Sequence, residues 1–204
     1  VCPGDEVLIC EPSFVCYKPL TIMAGGVPVI IETKEEDDFR LTPEQLKAKI
    51  TDKTKLLILP FPNNPTGAVM SKYDLEAIAD VLRGTDVLVL SDEIYAELRY
   101  SNEKHVPFSK IDGMYDRTVV VNGFSKAFAM TGWRLGYAMG PERLIKLMTK
   151  VHQYGIMSSP TTSQYAAIEA LKNCDDDVVK MCDEYNNRRR VIVDGFRNMG
   201  LSCF

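Results

Sequence analysis

Residues 56–67 read L-L-I-L-P-F-P-N-N-P-T-G, an apolar, branched run that ends abruptly in a cluster of proline, asparagine and glycine. A run of this kind, bounded by turn residues, reads as a short strand, and its lack of polar alternation fits a strand covered on both faces. Similar runs recur at Val7–Cys10, Val27–Ile31, Val87–Leu90, Thr118–Val121 and Leu135–Met139, with stretches of helical periodicity between them. The alternation predicts an α/β fold of three layers, a mostly parallel sheet covered by helices on both faces.

Several helix starts are written into the sequence. Thr42-Pro43-Glu44-Gln45 combines an N-cap hydroxyl, a first-turn proline and a residue able to reach back to the cap, and Ser71-Lys72-Tyr73-Asp74 offers a similar arrangement. These predict helices near 43–50 and 71–83. Pro141-Glu142 opens another helix, Pro160 precedes an apolar-periodic segment through Leu171, and Asp175–Asp177 place negative charge where a helix dipole favours it. The last helix is expected to end near Asn198, with an apolar strand-like stretch beginning beyond it. No repeat, low-complexity tract or linker divides residues 1–204, so a single domain is expected. The opening C-P-G-D-E turn and the closing G-L-S-C-F predict further chain on both sides.

Composition narrows the function classes. The 204 residues are 46% hydrophobic and 25% charged, enough for a well-filled core. A net charge of −4 argues against a nucleic-acid partner, which requires concentrated Lys and Arg. The six cysteines are scattered without metal-ligand spacing, so no metal site is expected and they read as reduced thiols. No apolar run approaches the roughly 20 residues of a membrane span, and cytoplasmic is the default location. The acidic stretch Glu35–Asp38 and the basic triplet Arg188–Arg190 read as solvated surface.

Two more predicted strands end as the first does. V-L-V-L leads into Ser91-Asp92-Glu93-Ile94-Tyr95, and T-V-V-V leads into Asn122-Gly123-Phe124-Ser125-Lys126. Ligands of doubly wound sheets bind outside the carboxyl ends of the strands, so the three clusters are expected to converge on one crevice. Their residue types suit pyridoxal 5'-phosphate. That cofactor needs a lysine to hold its aldehyde and move a proton, and an anion beside its pyridine nitrogen; Lys126 and Asp92 are such groups. Asn64 and Tyr95 are of the right type to donate to the phenolic oxygen. Ser125 and Arg134, the latter eight residues after Lys126, are candidates for the phosphate.

Taken together, N-N-P-T-G, S-D-E-I-Y and N-G-F-S-K-A-F-A-M-T-G-W-R-L-G-Y resemble the class I/II aminotransferases of the fold-type I pyridoxal-phosphate superfamily. The resemblance extends to G-D-E-V-L-I-C-E-P-S-F-V-C-Y at the start and P-T-T-S-Q-Y-A-A-I-E-A-L later in the chain. It implies that residues 1–204 form the large, cofactor-binding domain. It also implies Lys126 as the Schiff-base lysine, Asp92 at the ring nitrogen, Asn64 and Tyr95 at the phenolic oxygen, Ser125 and Arg134 at the phosphate, and Phe14 stacked on the ring. Gly123 departs from the many relatives that carry a hydroxyl residue three positions before the lysine.

The activity implied is amino-group transfer from an amino acid to a 2-oxo acid, in a homodimer. Pyridoxal-dependent C–S or cyclising lyases share the lysine, and aminotransferase-like effector domains of transcription regulators share the fold, so both remain alternatives. Tyr17, Trp133, Tyr137, His105 and His152 read as structural.

Overall fold

The computed structural model describes residues 1–101 and 103–203. Among these residues six strands form one sheet: β1 (Glu6–Glu11), β2 (Val27–Glu32), β3 (Thr54–Leu59), β4 (Leu88–Asp92), β5 (Thr118–Gly123) and β6 (Gly136–Met139), in the order β2-β1-β3-β4-β5-β6. The neighbours β1–β2, β1–β3, β3–β4 and β4–β5 are all parallel. Every apolar run read as a strand is one. The α-helices are α1 (Tyr17–Met23), α2 (Pro43–Lys49), α3 (Lys72–Leu82), α4 (Glu142–Gly155), α5 (Thr161–Asn173) and α6 (Asp175–Asn198). Of the strand-like stretch expected after α6, Leu201–Cys203 have no regular structure, and Phe204 lies outside the described residues.

Alternate residues of the strands feed two cores. Leu8 and Cys10 of β1 join Leu57 and Leu59 of β3 and Val89 of β4 against Leu46 of α2 and Leu75, Ile78, Ala79 and Leu82 of α3. Val7 and Ile9 point the other way and pack with Ile58 and with Tyr17 of α1. A strand buried on both faces has no polar alternation to show, which is why these runs are continuous in the sequence. Both anticipated capping boxes form. Thr42 Oγ1 accepts from the Gln45 amide at 3.2 Å while Gln45 Oε1 accepts from the Thr42 amide at 3.1 Å. Ser71 Oγ accepts from the Asp74 amide at 3.2 Å and Asp74 Oδ2 from the Ser71 amide at 2.8 Å.

The chain divides into two compact units. The first comprises Val1–Glu93, Val106–Asn122 and Tyr137–Met157, and holds the sheet apart from the end residues Gly123 and Gly136. The second comprises Ile94–His105, Gly123–Gly136 and Ser158–Phe204. Its own core gathers Phe124 and Met130 from the segment after β5 with Ala167 and Ala170 of α5. Ser163 Oγ of α5 donates to the Trp133 carbonyl at 2.7 Å and ties that segment to the helix.

Candidate active site

In the first unit the strand order changes direction at β1, whose neighbours are β2 on one side and β3 on the other. Chain leaving adjacent parallel strands on opposite sides of such a point opens a crevice at their carboxyl ends. Three of the sequence-predicted residues lie in chain leaving this edge. Phe14 follows β1, Asn64 follows β3, and Asp92 is the last residue of β4, in register with Val121 of β5.

Asp92 is half-buried, and Tyr17 Oη donates to its Oδ2 at 2.9 Å. Tyr17 opens α1 and is itself buried. Phe14 is 48% exposed and meets Tyr17 edge-on, with ring centroids 6.3 Å apart and planes at 74°. Such an aromatic has a face available for stacking and an edge held by its neighbour. The Cys16 thiol is pushed up by burial and then by the negative charge of Asp92, against a smaller lowering from a backbone hydrogen bond.

The two adjacent asparagines after β3 have different placements. Asn63 is buried, and its Oδ1 closes the turn by accepting from the Thr66 amide at 3.3 Å and the Thr66 hydroxyl at 3.0 Å. Gly67, at φ +75°, completes that turn in a conformation that favours glycine. Asn64 is the half-buried residue one place further along.

The second unit carries Tyr95, Ser125, Lys126 and Arg134. Ser125 and Lys126 sit half-buried in the turn after β5, and Lys126 Nζ lies 5.6 Å from the centroid of the Tyr95 ring. A cation at that distance from a phenol face is attracted by its quadrupole, which gives the flexible lysine a resting place. The turn is closed by the Phe124 amide donating to Leu135 O at 3.3 Å and the Met130 amide donating to Phe124 O at 3.2 Å. Arg134 is exposed, stands in the left-handed region at φ 52°, and donates from Nη1 to the Thr131 carbonyl at 2.8 Å. A non-glycine residue held there costs conformational energy, and such positions concentrate at functional loops.

The structure gives a reason for Gly123. A Cβ at this position would lie 2.9 Å from Gly136 Cα and 3.0 Å from the Leu135 carbonyl oxygen. The backbone passes too closely there for any side chain, so a hydroxyl residue is excluded by packing.

Two residues outside the predicted set are drawn in. Tyr17, read from the sequence as structural, contacts Asp92 directly. Glu93, 2% exposed, accepts from Ser91 Oγ at 2.8 Å and from the Phe108 amide at 3.1 Å through Oε1. Tyr17 precedes Asp92 by 75 residues, and its only sequence signal is its place three residues after Phe14. Among the described residues, no cluster of three or more His, Cys, Asp or Glu is arranged to hold a metal ion. No helix among them is long and apolar enough to cross a membrane.

A parallel sheet of this order with helices between its strands is the α/β fold of the aminotransferases. The chain belongs to the aminotransferase class I and II family, whose signature matches residues 1–204. It is similar to a putative aminotransferase, YugH, of Bacillus subtilis (strain 168), at 48% identity over 201 residues, covering 98% of this chain and 52% of that protein. It is 46% identical over 200 residues to an aspartate aminotransferase of Pyrococcus abyssi, covering 97% of this chain and 51% of that one. Among solved structures, an aromatic aminotransferase from Pyrococcus horikoshii OT3 superposes with a TM-score of 0.95 at 46% identity, covering 98% of this chain and 54% of that chain. The chain thus spans about half the length of the relatives it matches. Members of this family use pyridoxal phosphate.

Proposed function

We propose that this chain is the cofactor-binding part of an enzyme that transfers an amino group from an amino acid to a 2-oxo acid. The observation that carries the reading is Lys126, a half-buried amine in the turn after β5 with its Nζ against the Tyr95 ring, in a chain of the aminotransferase family. The donor set fits pyridoxal 5'-phosphate by type: one amine, one carboxylate, a phenol, a primary amide, a hydroxyl, a guanidinium and an exposed aromatic face.

When bound, the cofactor supplies an electron sink for the carbanion left by loss of the substrate's α-proton. The protein's residues do the rest. Lys126 Nζ would hold the cofactor, and its free amine would take the substrate's α-proton and return it. Asp92 would hold the proton on the pyridine nitrogen by charge and hydrogen bonding. Asn64 and Tyr95 would donate to the phenolic oxygen, and Ser125 and Arg134 would bind the phosphate. Phe14 would stack on the ring. The reading places the protein in the cytoplasm as a homodimer; α4, with no buried residue, carries Leu147, Val151 and Tyr154 outward as an apolar face for either a second copy or further chain to cover.

The experiment is a Lys126→Ala substitution in the full-length protein, beside the wild type. Wild type is expected to fix the cofactor covalently on borohydride reduction and to transfer amino groups from an amino-acid donor to 2-oxoglutarate, with aspartate and aromatic amino acids in the donor panel. The variant loses both properties. Covalent fixation of the cofactor in the variant would refute the assignment of Lys126. Release of pyruvate and ammonia from a cysteine-type substrate, without amino transfer, would replace the transferase reading with a lyase.

A further inference from the structure

Tyr17 lies outside every residue assigned to the cofactor, yet its hydroxyl reaches the side chain of Asp92, with Oη to Oδ2 at 2.9 Å. The ring is 7% exposed and packed among Val7, Ile9 and Ile58, so the sheet itself fixes where the hydroxyl stands. Thr21 Oγ1 donates to the Tyr17 carbonyl at 2.9 Å, anchoring the first turn of α1 from within. A phenylalanine would fill the same apolar space. The added oxygen therefore has a use beyond packing, and its partner is a charged acceptor, the setting in which a hydrogen bond is strongest.

The backbone of Asp92 is held by the ladder between β4 and β5, in register with Val121. The side chain retains its own torsions, and the terminal carboxylate rotation is broad and soft. A donor fixed by the core removes that freedom. The alignment of a carboxylate with a flat aromatic cation depends on that rotation, because the favoured hydrogen bond lies near the carboxylate plane.

We infer that Tyr17 is a positioning residue: its phenol sets the orientation in which Asp92 presents its carboxylate to the cofactor. The inference rests on the assignment of Asp92 to the pyridine nitrogen. It adds a second layer to the site, built by the element that follows the stacking aromatic Phe14, so that one short segment, residues 14–17, would govern both a face and an edge of the ring.

The test uses the full-length holoprotein with Tyr17→Phe, Asp92→Asn and the double variant. Tyr17→Phe removes one oxygen and keeps the buried ring, so the thermal midpoint serves only to confirm folding. Pyridoxal phosphate affinity is expected to weaken by roughly tenfold, the scale of one hydrogen bond to a charged group, and the visible circular dichroism of the bound cofactor to change. The kcat should fall by more than KM changes, since substrate contacts are not removed. In the Asp92→Asn background the same substitution should have little further effect, because coupled residues are not additive. An unchanged affinity and spectrum in Tyr17→Phe, with wild type binding normally, would overturn the inference and leave the cofactor assignment standing. An equal loss in both backgrounds would also overturn it, by showing that Tyr17 acts through packing. Failure of wild type itself to bind pyridoxal phosphate would remove the underlying assignment and the inference together.

Discussion

Glu93 Oε1 accepts a hydrogen bond from the backbone amide of Phe108 at 3.1 Å, joining residues fifteen apart in the chain. Phe108 is 1% exposed and belongs to the larger core with Ile111 and Met114, so this bond fixes the return of the chain toward β5. The same Oε1 accepts from Ser91 Oγ at 2.8 Å. Asp92 therefore stands between two residues that hold each other, and the end of β4 is pinned on both sides of it.

Glu93→Ala should destabilise the protein by about 2–3 kcal/mol, because it leaves a buried amide and a buried hydroxyl without their acceptor. Glu93→Gln keeps a carbonyl oxygen at the same reach and should cost about 1 kcal/mol. Chemical denaturation of the two variants beside wild type checks the ordering. Equal losses would show that the acceptor is not what matters. Because Asp92 adjoins the pinned residue, Glu93→Ala should also weaken cofactor binding, measured by equilibrium dialysis.

Gly123 gives a contrast that needs only glycines. Its Cβ position is blocked by backbone, Gly136 Cα at 2.9 Å and the Leu135 carbonyl at 3.0 Å, which cannot rotate away as a side chain could. Gly123→Ala should therefore cost about 2 kcal/mol or more, in the range of overpacked cores. Gly132, nine residues on, has nothing within 4 Å of where a Cβ would stand and no left-handed φ. Gly132→Ala should be neutral or stabilise by about 0.5 kcal/mol through the unfolded chain. Thermal midpoints of the pair decide it; the same small effect in both would remove the packing explanation for the glycine at 123.

The sheet was legible because parallel strands buried on both faces carry continuous apolar runs, and all six were marked. The boundaries shifted where pairing continued past the apolar residues: Ser91 and Asp92 extend β4 because they stay in register with Val120 and Val121. Helix α1 was not legible. It has seven residues and contains Pro19, so neither length nor period announced it. The missed α1 and the missed role of Tyr17 are one event, since the helix start is what brings the phenol to β4. The candidate site was legible as motifs at strand ends, but spacing could not separate Asn63 from Asn64. Only the turn shows the first asparagine occupied with Thr66. Glu93 was hidden for a similar reason, because its partner Phe108 carries no polar side chain to suggest a bond.

Cys10 permits a prediction about alkaline pH. It is 1% exposed in the middle of β1, among Leu8, Ile31 and Leu57, and burial pushes its thiol from an ordinary value of 9.0 to about 12. Below about pH 8 the thiol is protonated in folded and unfolded chains alike, and its contribution to stability is fully present. As pH rises past 9 the unfolded chain releases the proton while the folded chain keeps it, so unfolding is favoured. Stability is then lost by up to about 1.4 kcal/mol per pH unit until the folded thiol itself titrates. Cys10→Val keeps a similar volume and removes the titration. Denaturation midpoints at pH 8, 9 and 10 should fall more steeply for wild type than for the variant, since the lysines, tyrosines and remaining thiols are common to both. Parallel pH dependences would show that Cys10 reaches its proton acceptor in the folded state, contrary to its burial. In the same native protein at pH 8, thiol reagents should modify the exposed Cys2 and leave Cys10 unmodified until denaturant is added.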